Sequence, residues 1–328
     1  MFLRQNFRNV WKISRWLLTL GVLVLMSYAL YRNRTDIKQA FGDANWFWLL
    51  VALLLNLVAS LVYVGVWYGC ACLLGSRRGY GAALMSLSVA GAARYIPGGI
   101  WPIAGLVFFG PAAGLPRRVM PLLAILAQGV HLLVASLFGV AGLLLALPLL
   151  QGGGFVPTPA YFVGLALLAT LGLLTLLFGP RYLTPPLLYL IKLRVNKNSP
   201  DSNEAIKLQL PTGALWQPAL PSALFWLLNG IRLWLTILAF GGLNISWLPY
   251  LVWAGAFTTL VSAVFFFVPL GLGIVESSLA LLLGALLPWP VALGVIAANR
   301  LMRTLNDFIF LGVGLWLYRR LQTSDHKI

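Results

Sequence analysis

Acidic residues are nearly missing from this chain. Only 7 Asp and Glu occur among 328 residues, and charged residues of both signs make up 9%. A soluble domain carries about 25% charge, so this composition excludes one and points to an integral membrane protein. Residues that are 60% hydrophobic agree with it. Charge is absent between Asp43 and Arg77, between Arg118 and Arg181, and between Arg232 and Glu276. A membrane span needs about 20 apolar residues.

Cysteine and histidine are equally sparse, with 2 of each. Cys70 and Cys72 are two apart on one expected helix and point in different directions, so they are expected as free thiols. No metal site, cofactor motif or catalytic signature accompanies them. There is no Gly-rich phosphate loop, no G-x-S-x-G and no H-E-x-x-H. His131 is the one histidine outside the C-terminal tail. The longest connecting stretch, about 181–211, is too short for a soluble domain.

Basic residues are present, and they set the net charge at +16. They lie in short loops between apolar segments rather than in a basic domain. Nucleic acid is therefore not an expected partner; orientation by the positive-inside rule is the simpler account, with some attraction to anionic headgroups. Arg4, Arg8, Lys12 and Arg15 before an apolar run imitate a secretory signal. More spans follow and no clear A-x-A site is present, so an uncleaved first span is expected.

Hydropathy places full spans at about 12–31, 46–74, 119–148, 159–180, 213–240 and 290–318. Two further apolar segments are interrupted: 80–110 by Pro97, Gly98 and Gly99, and 248–287 by Pro269, Gly271 and Gly273. Each half of the first segment is about 20 Å of helix, too short for a core of about 30 Å. The half after the second break is also short. Basic loops at 75–79 and 111–118 flank the first broken segment, and uncharged loops flank the second. The expected fold is therefore an all-α polytopic membrane protein. It has about six full transmembrane helices and two re-entrant hairpins on opposite faces, with both termini cytoplasmic. The halves, 1–150 and 151–328, form an inverted repeat in one membrane domain, a layout that marks transporter binding sites. Two ordinary hairpins of paired spans are the alternative. Polar 32–45 reads as a loop, and Trp46, Trp48, Trp247, Tyr250 and Trp289 read as an interfacial belt.

Six ionisable residues fall within apolar segments: Arg94, Arg232, Glu276, Arg300, Arg303 and Asp307. Each costs about 2.5–3.5 kcal/mol at the bilayer centre, so they must face protein or water and pair where they can. Arg94 and Glu276 flank the two breaks and are natural partners; Glu276 also suits the first turn of its own half-helix. Asp307 suits Arg303 at i+4, which leaves Arg300 and Arg232 without local partners. Cations exceed anions, which suits an anionic ligand group such as phosphate. Snorkelling to the interface is the alternative, above all for Arg232. Gln128 and His131 form a secondary polar pair at i, i+3, more in keeping with packing than with proton transfer.

The stretches "ARYIPGGIWPIAG", "VPLGLGIVESSLALLL" and "ANRLMRTLNDFIFLGVG" resemble the lysylphosphatidylglycerol synthase transmembrane-region family. This is the flippase-like membrane domain of multiple peptide resistance factor, which also occurs alone. By that resemblance Arg94, Pro97, Gly98, Gly271, Gly273, Glu276 and Arg300 carry over. It implies a lipid flippase of the bacterial inner membrane, with stand-alone members tied to glycolipid or polyprenyl-lipid pathways. The family's cytoplasmic synthase domain has no counterpart here, so synthase activity is not implied. The partners implied are membrane lipids with anionic headgroups. A membrane glycosyltransferase or lipid synthase, served by a non-transporting lipid-binding subunit, is the alternative. An enzyme acting on lipid headgroups is disfavoured by the sparse nucleophiles and bases. A homodimer stays open.

Overall fold

The computed structural model describes residues 34–93, 101–110, 115–152, 170–175, 213–265 and 273–325, together with 28, 31–32, 164 and 167. Among them every regular element is helical and there is no strand. In chain order these are α1 (Arg34–Gly42), α2 (Trp46–Leu73), α3 (Tyr80–Ala92), α4 (Trp101–Phe109), α5 (Met120–Gly152), α6 (Trp216–Ala239), α7 (Leu248–Val264), α8 (Ile274–Gly284) and α9 (Trp289–Asp325). Their boundaries have local causes. Asn45 caps α2, its side chain accepting the Phe47 N–H at 3.1 Å. Pro121, Pro218, Pro249 and Pro290 sit in the first turns of α5, α6, α7 and α9, where the missing N–H costs nothing.

Among the described residues four helices are long and apolar enough to cross a membrane: Trp46–Leu73, Met120–Gln151, Trp216–Ala239 and the run Ile245–Val264, which starts with a 3-10 turn. This is compatible with a helical membrane protein. The expected spans at 46–74, 119–148 and 213–240 match α2, α5 and α6. The one at 290–318 lies within α9, which is 37 residues long but carries too much polarity to join those four. The expected span at 12–31 lies almost wholly outside the described residues. Of 159–180, only 164, 167 and the helical turns at 170–175 are described.

Both interrupted segments appear as helix pairs. In the first, α3 and α4 are 13 and 9 residues long. A Cβ at Gly105 would lie 3.0 Å from the Ala90 Cα, so the arms touch at backbone distance. The tip residues Pro97, Gly98 and Gly99 lie outside the described residues, as do Pro269 and Gly271 of the second tip. In the second pair, α8 has 11 residues, too short to span. Its first arm, with the 3-10 turn, is 20 residues long and reaches spanning length. Polar 32–45 is not all loop. It forms α1, because Phe41 docks edge-on against Phe240 at 5.2 Å. Tyr250 does not join an interfacial belt. It is 4% exposed and its hydroxyl donates to the Leu282 carbonyl at 3.0 Å, tying α7 to α8.

The packing follows one pattern twice. α2 and α6 lie against each other and run antiparallel: the Asn45 N–H bonds the Ala239 carbonyl at 2.8 Å, while Gly69 meets Pro218 at the other end. Small surfaces allow this approach, since a Cβ on Gly65 or Gly69 would lie 3.2 Å from Pro221 or Pro218. α5 then packs on α7, and α9 packs on α3. Each long helix thus holds the first arm of the other half. α4 meets α5 as α8 meets α9, and α2 meets α5 as α6 meets α9. The buried side chains form two clusters, one around Val66, Val119 and Trp226 and one around Leu233, Leu251 and Val295.

Glycines carry the crossed contacts. A Cβ at Gly142 on α5 would sit 2.5 Å from the Pro249 carbonyl oxygen, and one at Gly314 on α9 would sit 2.8 Å from Ser88 Cβ. Gly142→Ala is expected to lower stability by about 1–3 kcal/mol, because backbone rather than a flexible side chain must yield. Gly129→Ala, on the same helix with nothing within 4 Å, is expected to be neutral or slightly stabilising. Thermal unfolding of the two variants in detergent separates these outcomes.

Candidate functional site

The site is assembled from the start of α8, the middle of α9 and the middle of α6. Gly273 precedes α8 with φ 79°, a conformation that disfavours any residue with a side chain. That turn presents its N–H to Glu276 Oε2 at 2.8 Å, and the Gly273 carbonyl accepts the Ser277 N–H at 2.8 Å. Glu276 therefore caps its own helix, as the sequence led us to expect. Capping leaves the other carboxylate oxygen, Oε1, directed at α9. There it accepts from Arg300 Nη1 at 3.1 Å.

The expected Arg94–Glu276 pairing falls on Arg94, which lies outside the described residues. Among the described residues Glu276 pairs with Arg300, which was read from the sequence as lacking a local partner. The sequence shows which charges sit at depth but not the register between α8 and α9. The pair is not sealed: the side chains are 20% and 11% exposed.

Arg232 on α6 is 4% exposed and does not snorkel. Its guanidinium is held by neutral amides. Nη1 donates to Asn299 Oδ1 at 2.5 Å; Nη2 and Nε donate to Asn229 Oδ1 at 2.9 and 3.3 Å. Among the described residues no carboxylate bonds to it. Arg303 acts on it as a like charge. Asn299 and Arg300 are consecutive on α9, which places the amide-held guanidinium next to the ion pair along that helix.

Arg303 and Asp307 follow on α9, one exposed and one half-buried, and both interact with neighbours. Asn306, between them, is buried with its Oδ1 unpartnered. Three arginines thus face two carboxylates among the described intramembrane residues. Among those residues, no cluster of His, Cys, Asp or Glu is suited to hold a metal.

The secondary polar pair separates into different bonds. Gln128 accepts from the Tyr63 hydroxyl at 3.3 Å, and His131 Nδ1 lies 2.9 Å from Ser222 Oγ. The His131 ring stacks on Trp226 at 4.9 Å and meets the edges of Tyr63 and Phe225. This is a packed polar-aromatic node joining α2, α5 and α6, about ten residues along α6 from Arg232. Cys70 and Cys72 are free, as expected from their spacing.

Sequence reasoning missed Asn229, Asn299, Asn306, Tyr63 and Ser222. A signal was present on α6. Ser222, Asn229, Arg232 and Thr236 recur at +7, +3 and +4, a polar stripe on one helical face. Neutral polar residues escape a search built on charge. No protein-family model matches the chain, and no curated protein is similar enough to count as a relative.

Asn299→Ala removes an acceptor from a buried cation and is expected to cost about 2–3 kcal/mol. Asn299→Asp places a carboxylate there instead and is expected to fold with stability at or above wild type. Thermal unfolding of the two variants side by side checks the contrast.

Proposed function

We propose that the protein is a membrane lipid flippase or lipid transporter. It moves a phosphate-bearing anionic lipid, whether phospholipid, glycolipid or polyprenyl-linked lipid, between leaflets. The observation that carries this reading is Arg232: a buried guanidinium aimed by two amides and bonded to no carboxylate among the described residues. A cation so placed is oriented and electrostatically uncompensated, the arrangement that receives a phosphate oxygen. Arg303, acting on it as a like charge, adds to the pull on an anion. Arg300 is secondary in this scheme, because Glu276 already neutralises it.

The repeated packing pattern and the antiparallel α2–α6 pair support an inverted repeat of halves 1–150 and 151–328. The short lengths of α3, α4 and α8 support re-entrant hairpins within it. The loop charges support a bacterial inner-membrane setting with both termini cytoplasmic. The sequence resemblance to the lysylphosphatidylglycerol synthase transmembrane-region family points the same way, through Glu276, Arg300 and the two Pro-Gly breaks.

The test uses purified chain in liposomes containing fluorescent phosphatidylglycerol, with an outside quencher reporting lipid movement. Asn299→Asp fills the Arg232 site with a protein carboxylate while keeping the fold. It is expected to slow flipping by about tenfold or more, the loss of one charge-assisted bond. Equal rates in wild type and Asn299→Asp overturn the reading. Lipid binding without movement in wild type assigns the chain instead to a lipid-holding subunit of a membrane glycosyltransferase or lipid synthase.

A further inference from the structure

We infer that the Glu276–Arg300 ion pair is a latch between two interleaved bodies, and that an anionic headgroup opens it by taking over Arg300. The inference rests on the lipid-transport reading for the identity of the anion, and on packing alone for the latch.

The bodies follow from which helices are inseparable. α5 is joined to α7 where Gly142 faces the Pro249 carbonyl and the Trp253 N–H, at 2.5 and 3.1 Å from a built Cβ. α7 is joined to α8 by the Tyr250–Leu282 bond. These three helices form one body. α9 is joined to α3 where Gly314 meets Ser88 and Val89, and α3 is joined to α4 where Gly105 meets Ala90. Those three form the other. Close packing of this kind is hard to compress and transmits displacement, so in this scheme each body moves as a unit. The α2–α6 pair, with its small-residue faces, lies between them.

The bodies meet along two seams related by the repeated pattern. Where α4 meets α5 the seam is apolar: Leu106, Met120 and Leu123 line a small cavity with Trp67 and Ser86. The Trp67 indole N–H in this cavity is buried and unpartnered. Where α8 meets α9, Glu276 and Arg300 form a charged link. One seam is therefore loosely filled and the other is fastened by charge.

The fastening is exchangeable. A phosphate offers guanidinium the same paired oxygens as a carboxylate, so replacing one by the other changes the free energy little. Arg300 is reachable at 20% exposure, and it follows Asn299, the residue that aims Arg232. An anion drawn to Arg232 thus arrives beside the latch. Once Arg300 turns to the phosphate, Glu276 keeps its bond to the Gly273 N–H and α8 stays capped. The seam then loses its Glu276–Arg300 bond, and the open state gains population.

The experiment uses the full chain with Cys70→Ala and Cys72→Ala, in nanodiscs of phosphatidylcholine or of phosphatidylglycerol. Spin labels at Leu281→Cys and Phe308→Cys cross the charged seam; labels at Leu281→Cys and Leu145→Cys stay within one body. All three positions are well exposed, at 77%, 60% and 68%. Pulsed spin-resonance distances are then measured. In phosphatidylcholine the seam-crossing pair is expected to give one dominant distance. Glu276→Gln, which keeps an acceptor for the Gly273 N–H, raises a second distance about tenfold in population. Phosphatidylglycerol does the same to the unmutated latch, and Arg300→Lys in phosphatidylcholine preserves the single distance. The within-body pair stays fixed throughout.

Seam distances unchanged by Glu276→Gln overturn the latch, and so does a within-body distance that moves with them. A shift in Glu276→Gln without one in phosphatidylglycerol overturns the anion as opener. Distances that shift while liposomes show no flipping sink the transport reading and leave the latch standing. Flipping with fixed distances does the reverse.

Discussion

A guanidinium cannot rest in an apolar interior without acceptors, and the middle of this fold is arranged around that constraint. Arg232 lies on the helix that contacts α2, α5, α7 and α9. Its burial is tolerable because α6 itself supplies Asn229 one turn away and α9 supplies Asn299. The amide partners matter chemically. They accept from three of its five N–H groups without cancelling the charge, so the cation is oriented yet still electrostatically hungry. A carboxylate at either position would have made a stable and inert salt bridge.

Glu276 works under the same constraint with the opposite sign. One oxygen closes the first turn of α8 and the other meets Arg300. The division depends on Gly273, whose left-handed turn brings its N–H within reach of the carboxylate. A single side chain thereby shapes a helix end and joins two helices. Its two roles can be separated by chemistry, since capping needs only an acceptor and pairing needs a charge.

Much of this was legible before any coordinates. α2, α5 and α6 fall on the hydropathy runs because twenty apolar residues leave few alternatives to a helix. The Pro-Gly breaks fall, in the sequence, between α3 and α4 and between α7 and α8. The site was legible as a set of charges and illegible as a set of pairs. Glu276 and Arg300 are 24 positions apart on different helices, and their meeting depends on how α8 lies against α9. The symmetry argument that gave Arg94 to Glu276 used the order of segments, which carries no information on that register, and Arg94 itself lies outside the described residues. Asn229, Asn299 and Ser222 carry no charge and so left no mark on a chain read for charge. The helix at Arg34–Gly42 was hidden by its polarity; Phe41, half-buried against the core, docks it.

The crossed glycine contacts have a consequence for how the chain is made. α3 leaves the ribosome long before α9, yet α9 supplies the surface on which α3 packs, at Gly314. Nearly the whole second half must be synthesised and inserted before that surface exists. Until then a 13-residue apolar arm, too short to cross the bilayer, waits without its permanent neighbour. The insertion machinery or a chaperone must shield it through that interval. Shortening the time between the two segments, by faster translation of residues 181–211, is therefore a lever on yield that no contact within the finished protein reveals.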